Sequence, residues 1–169
     1  FSADGIDPAS QLLAASLPDD LRGRYADFGA GWGYLTRRLF DYPEIEHIDC
    51  IEADSAAIDC ARQNCGDRRV AFHWSDATTW CAKTALDGIV MNPPFHHGRA
   101  ADPTIGQAFI ASAARNLAAK GRLFMVANRQ LPYEAVLQSC FANVKQMAQN
   151  NLFKVLFANR PLEHLRKTR

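Results

Sequence analysis

No CxxC pair, no charge of one sign and no long apolar run mark this sequence, and each absence removes a class of protein. The five cysteines (Cys50, Cys60, Cys65, Cys81, Cys140) are an odd number scattered along 169 residues, so neither a disulfide framework nor a thiolate metal site is indicated. A reducing, cytoplasmic setting is the expectation. The longest unbroken apolar stretch in the middle of the chain, Leu123 to Ala127, is far short of the ~20 residues of a membrane helix. No membrane partner is expected. With 19 basic and 18 acidic residues, the net charge of +1 supplies no global field for nucleic acid. Only the last ten residues, with Arg160, Arg166, Lys167 and Arg169 against Glu163, carry a local excess that suits phosphate contact or a solvated tail. Internal repeats and low-complexity tracts are absent too.

What remains is an ordinary globular composition, 48% apolar and 22% charged, on a length that suits a single domain over residues 1–169. The chain starts at Phe1 rather than Met, inside a stretch that reads as functional, so a fragment of a longer chain is expected. Apolar runs alternate with helical periods, the signature of a mostly parallel sheet with helices on both faces. Helices are predicted over Pro8–Leu17, Leu35–Phe40, Ser55–Asn64 with Ser55 as N-cap, Thr104–Ala118 and Tyr133–Phe141. Strands are predicted over Tyr25–Ala30, His47–Ala53, Arg69–Trp74, Leu86–Met91 and Leu123–Ala127, the last entered through a Lys120-Gly121 turn. Two further strand-like runs, Val144–Gln149 and Phe153–Ala158, are separated only by Asn150, Asn151 and Leu152, a hairpin spacing that closes the chain antiparallel.

The sharpest local signal is Asp27-Phe28-Gly29-Ala30-Gly31-Trp32-Gly33, a strand end, alternate glycines and then a helix. Glycines at such a turn let the backbone approach a ligand, and the helix N-terminus offers free N–H groups. Because Tyr34 stands where the dinucleotide fingerprint needs its last glycine, a pyrophosphate is disfavoured. Glu52, at the end of the second strand, suits the two hydroxyls of a ribose, and Asp76, at the end of the third, suits an adenine amino group. Asp27, Glu52 and Asp76 together on one rim describe a pocket for a nucleoside with a cationic tail.

The second signal is Asn92-Pro93-Pro94-Phe95 at the end of the fourth strand. Two prolines fix φ and remove two donors, leaving the Asn92 side-chain oxygen and the Pro93 carbonyl as rigid acceptors. A planar exocyclic amine that donates to both is turned toward tetrahedral geometry, which aims its lone pair at an electrophile. Phe95 would stack on the base. His96 and His97 lack a third ligand with suitable spacing, so no metal is expected, and no cysteine has the neighbours of a nucleophile.

Taken together, DFGAGWG, Glu52, Asp76 and NPPF resemble the class I S-adenosylmethionine-dependent methyltransferases, a Rossmann-like α/β fold. Phe1-Ser2-Ala3-Asp4-Gly5-Ile6-Asp7 with Ser10-Gln11-Leu12-Leu13, then NPPFHHG, Val126-Ala127-Asn128 with Leu131-Pro132-Tyr133, and Phe153-Lys154-Val155 narrow the match. Over nearly the whole chain they resemble the catalytic C-terminal half of the bacterial ribosomal RNA small-subunit guanine-N2 methyltransferases. The resemblance implies a seven-stranded sheet with an antiparallel last strand. It implies S-adenosyl-L-methionine held by Asp7, Asp27, Gly29, Ala30, Gly31, Gly33, Glu52, Ala53, Asp76, Ala77 and Asn92, with the segment from Phe1 to Asp7 closing over it. Asn92, Pro93, Pro94 and Phe95 would hold a guanine of ribosomal RNA, or of the small ribosomal subunit, for methylation at its amino group. Family members usually carry a second, degenerate methyltransferase-like domain upstream. Trp32 and Trp80 are bulkier than the pattern leads one to expect. The residues alone leave two alternatives open: an adenine amine or a protein glutamine as acceptor, and a non-catalytic S-adenosylmethionine-binding module.

Overall fold

The computed structural model describes residues 5–94, 96–97, 100–101 and 103–166, with the backbone alone for 96–97 and 100–101. The first helix, α1 (Pro8–Ser16), starts where Asp7 accepts from Ser10 N and Pro8 supplies a ready-made helical φ. It ends at Leu17, whose extended backbone is the conformation a following proline demands. Strand β1 (Gly23–Phe28) leads through the glycine turn into a short helix α2 (Tyr34–Arg38) and a 3-10 turn. β2 (Ile45–Glu52), α3 (Ser55–Asn64), β3 (Val70–Trp74) and β4 (Leu86–Met91) follow. Two short strands, β5 (His96–His97) and β6 (Ala100–Ala101), pair with each other after the proline turn. The chain continues as α4 (Pro103–Asn116), β7 (Leu117–Asn128), α5 (Tyr133–Cys140), β8 (Phe141–Gln149), β9 (Phe153–Pro161) and α6 (Glu163–Arg166).

Seven of these strands form one sheet in the order β3-β2-β1-β4-β7-β9-β8. All the pairings from β3 to β7 are parallel, whereas β9 runs antiparallel to both β7 and β8 between which it lies. The expected architecture, seven strands with the last one antiparallel, is the one observed. Its interior strands read as continuous apolar runs because both faces are covered. On one face Leu13, Tyr25, Leu35, Ile48, Val90, Phe124 and Val126 pack beneath α1 and α2. On the other, Ala26, Phe28, Ile89, Met91 and Met125 of the sheet pack against Phe109 and Ile110 of α4 and Leu137 of α5. Each fully buried leucine or isoleucine of these layers contributes about 1.5–3 kcal/mol.

Four local expectations are corrected. The N-cap of α3 is Asp54 rather than Ser55, because the Asp54 carboxylate accepts from Ala56 N and Ala57 N. Helix α4 stops at Asn116 rather than Ala118. The Lys120-Gly121 pair is no free turn, since it sits in a bulge of β7 where pairing jumps from Leu86↔Leu117 to Gly88↔Arg122. That bulge is decided by the partner strand, which a local pattern does not contain. The ribbon β5–β6 occupies what reads as a loop in sequence. Among the described residues no helix is long and apolar enough to cross a membrane.

Candidate active site

The C-terminal ends of β1, β2, β3 and β4 open on one side of the sheet into a cavity of about 1000 Å³, the position where open α/β sheets bind ligands. Its floor is the turn after β1. Gly29, Gly31 and Gly33 all have positive φ, +71°, +56° and +93°, so their backbone conformations suit glycine and strain any other residue. Gly29 N and Ala30 N donate to Ile51 O at 2.9 and 3.0 Å, tying the turn to β2. At Gly31 an added Cβ would meet nothing within 4 Å, whereas at Gly33 it would fall 2.6 Å from Cys65 Sγ. One glycine therefore faces open cavity and the other faces the packed side of α3.

Asp27 does not line the cavity. It is fully buried, and its Oδ2 accepts from Thr36 N and Thr36 Oγ1, both at 2.8 Å. In effect it satisfies the first turn of α2 from beneath, a helix whose own N-cap, Gly33, has no side chain to do so. Oδ1 of Asp27 is buried with no partner. Burial pushes this carboxyl up to about 7, against the pull of the two Thr36 bonds.

Glu52 does line the cavity. Its Oε2 accepts from Gly31 N and its Oε1 from Asp54 N, both at 2.8 Å, so both oxygens are pinned at the rim while each keeps further accepting capacity. Beside it stand Ala53 and, from the loop after β3, Asp76 and Ala77. Asp76 Oδ1 is engaged with Thr78 N and Thr78 Oγ1 at 2.8 Å. Gly29, Ala30 and Gly31 complete the expected binding residues at the cavity wall; Gly33, like Asp27, lies outside it. The bulky Trp32 lines the cavity and meets Tyr34 edge-on at 5.7 Å. Trp80 is turned away, packed against Phe28 and His73.

Asn92, Pro93 and Pro94 close the opposite wall. The Asn92 amide nitrogen donates to Asp7 Oδ2 and to Ser10 Oγ at 2.5 and 2.9 Å. Its oxygen, Oδ1, is buried without a partner. A buried carbonyl of this kind is costly unless a ligand supplies the missing donor. Phe95 lies outside the described residues, as do the side chains of His96 and His97. Among the described residues no group of three His, Cys, Asp or Glu side chains is placed to hold a metal ion. Ser10 and Phe109, both at the cavity, are not singled out as site residues by the sequence, Ser10 entering only through the Ser10-Gln11-Leu12-Leu13 resemblance. Among local signals, only the Asp7-Pro8-Ala9-Ser10 capping pattern hints at the first.

Comparison with known proteins agrees with this geometry. The chain is 33% identical over 158 residues to the ribosomal RNA small subunit methyltransferase C of Psychromonas ingrahamii, which it covers to 45%. It is 34% identical over 160 residues to that of Shewanella pealeana, covered to 46%, and each match takes in 92% of this chain. It thus spans about half the length of the curated relatives it matches. Among solved structures, the T. thermophilus 16S rRNA N2 G1207 methyltransferase in complex with AdoMet and guanosine superposes with a TM-score of 0.79 at 33% identity, over 95% of this chain and 45% of that one. The family described as methyltransferase small domain matches residues 1–157. With the glycine turn, the rim acids and the Asn-Pro-Pro wall in place around one cavity, that match means the chain belongs to the methyltransferase small domain family.

Proposed function

We propose that this chain binds S-adenosyl-L-methionine and directs its methyl group to the exocyclic amine of a guanine in small-subunit ribosomal RNA. The observation that carries the reading is the Asn92 amide, held by its nitrogen with its buried oxygen unpartnered at the cavity. The cofactor fits what is there. The space above Gly31 admits a ligand at backbone distance, Glu52 offers a pinned carboxylate to ribose hydroxyls, and Ala53, Asp76, Ala77 and Phe109 line the same cavity with the apolar surface and the acid that an adenine would use. Asp27 and Gly33 then serve the cofactor indirectly, by shaping the turn.

Bound there, S-adenosylmethionine supplies a methyl group already activated on a sulfonium. The protein's share is position and electrostatics. Asn92 Oδ1 accepts one N–H of the amine and the Pro93 carbonyl the other, which concentrates the nitrogen lone pair toward the cofactor side. From its place after Asn92-Pro93-Pro94 in the sequence, Phe95 is assigned to stack on the base. No general base is assigned, and the released proton goes to water. The guanine has to leave its stack to reach the wall, as bases modified by other enzymes do. The names of the relatives support small-subunit RNA as the acceptor, and with it a cytoplasmic location.

The test is transfer of label from methyl-labelled S-adenosylmethionine to small ribosomal subunits and to free rRNA, followed by digestion to nucleosides. Label in N2-methylguanosine is expected. Label in methyladenosine or in protein overturns the acceptor, and cofactor binding without label in either substrate overturns catalysis by this chain.

A further inference from the structure

A primary amide has two ends of nearly equal shape, one that donates and one that accepts. Whether Asn92 presents an acceptor or a donor to the cavity is therefore decided by its neighbours rather than by its own identity. Those neighbours are the N-cap and first turn of α1, more than 80 residues away in sequence. Asp7 Oδ2 can only accept, and it takes an N–H from Asn92, the Ser10 N–H at 3.0 Å and the Ser10 hydroxyl at 3.2 Å. The Ser10 hydroxyl, its proton thus directed at Asp7, turns a lone pair to the other Asn92 N–H at 2.9 Å. Both arms of the ring start as N–H donors on Asn92 and end on Asp7 Oδ2, one directly and one through the Ser10 hydroxyl. Flipping the amide would set its carbonyl against a carboxylate and a hydroxyl lone pair.

The ring is itself anchored. Asp7 is the N-cap of α1, and Ala9 and Leu13 of that helix are fully buried against the sheet. Resting on the reading of Asn92 as an acceptor for the amine, we propose that Asp7 and Ser10 are positioning residues that make the site selective for an amino-bearing base. They engage the nitrogen of Asn92 and leave its oxygen as the end without a partner, so that the wall accepts an N–H donor and refuses a base edge that lacks one. On this assignment Asp7 acts through Asn92 and contributes little to holding the cofactor, although it lies at the same cavity.

The experiment compares binding of guanosine with binding of inosine, which lacks the amino group, to the intact protein in the presence of S-adenosylhomocysteine. The wild type should favour guanosine by about tenfold, the worth of one well-placed hydrogen bond. Asp7→Ser keeps a good N-cap while its hydroxyl is too short to reach Asn92, and Ser10→Ala leaves the cap untouched. Both variants should bring guanosine down to the level of inosine and lower kcat at least about tenfold, with the cofactor Kd and the KM for cofactor unchanged. Ser10→Thr, which keeps the hydroxyl, should restore the preference. If Asp7→Ser fails to fold, Ser10→Ala carries the same test alone.

Retention of the guanosine preference in folded variants overturns the positioning role. A parallel loss of cofactor affinity also overturns it, by making Asp7 a cofactor ligand. A wild type that does not distinguish the two nucleosides overturns the amine-acceptor reading itself, and so separates the two failures.

Discussion

The glycine turn after β1 and the proline turn after β4 stand at the ends of neighbouring strands, yet their polar groups are satisfied in different ways. On the glycine side the bonds are made by groups close at hand on adjoining strands and loops: Glu52 to Gly31 and Asp54, Asp27 to Thr36, Asp76 to Thr78. On the proline side the holding bonds come from a helix remote in sequence, and one acceptor is left over. A binding surface profits from being complete before the ligand arrives, because preorganised groups cost nothing to reorder. A reacting surface profits from one group left wanting, because the missing partner then comes from the substrate. Each turn in fact leaves one buried oxygen without a partner, but Asp27 Oδ1 is sealed beneath the glycine turn and outside the cavity, whereas Asn92 Oδ1 belongs to the wall that meets the acceptor.

That contrast is broken or sharpened by substitutions on either side. Asn92→Ala is expected to have the largest effect, a fall in methyl transfer of about a hundredfold or more with cofactor affinity retained by calorimetry. Loss of both together would erase the division between the two turns. Gly33→Ala comes next. Its Cβ would strike Cys65 Sγ at 2.6 Å from a positive φ, so thermal unfolding should report a destabilisation of about 3 kcal/mol.

Glu52→Ala frees Gly31 N and Asp54 N and should weaken cofactor binding by about thirtyfold, roughly 2 kcal/mol, with little change in the rate at saturation. Gly31→Ala meets no neighbour. It should lower stability by only about 1 kcal/mol while obstructing the cofactor, the reverse of the balance at Gly33.

The remaining test reads the pH dependence of stability rather than its size at one pH. Asp27 titrates near 3.8 when unfolded and at about 7 when folded, so the folded chain holds this proton more tightly. Its contribution to stability is greatest in acid and declines as pH rises from about 4 to about 7. Asp27→Asn should remove that decline, seen as the difference between the Tm profiles of the two proteins. A parallel pair of profiles would contradict the buried setting of this acid.

Most elements were legible because local signals decide them: Asp7-Pro8 opens α1, Leu86–Met91 is a strand in both readings, and the Asn150–Leu152 spacing is the hairpin turn observed. The glycine turn was legible for the same reason. What escaped depends on partners distant in sequence. An acid at a strand end reads alike whether it faces the cavity, as Glu52 at the end of β2 does, or faces a helix, as Asp27 on β1 does. The ring through Asp7, Ser10 and Asn92 joins residues 82 and 85 positions apart, and nothing in the spacing announces it. The bulge in β7 likewise follows from β4.

The place of β9 in the sheet has a consequence for how the molecule is made. Synthesis delivers β1 to β8 before Phe153–Pro161 leaves the ribosome, yet β9 lies between β7 and β8, and β8 hydrogen-bonds to no other strand of the sheet. Until β9 emerges, β7 presents an open edge with its apolar flanks and β8 has nothing to pair with, the condition in which nascent chains invite wrong partners. Closure of the sheet is therefore a late event in the life of each new chain, and a stop codon before Phe153 would remove an inner plank rather than trim a border.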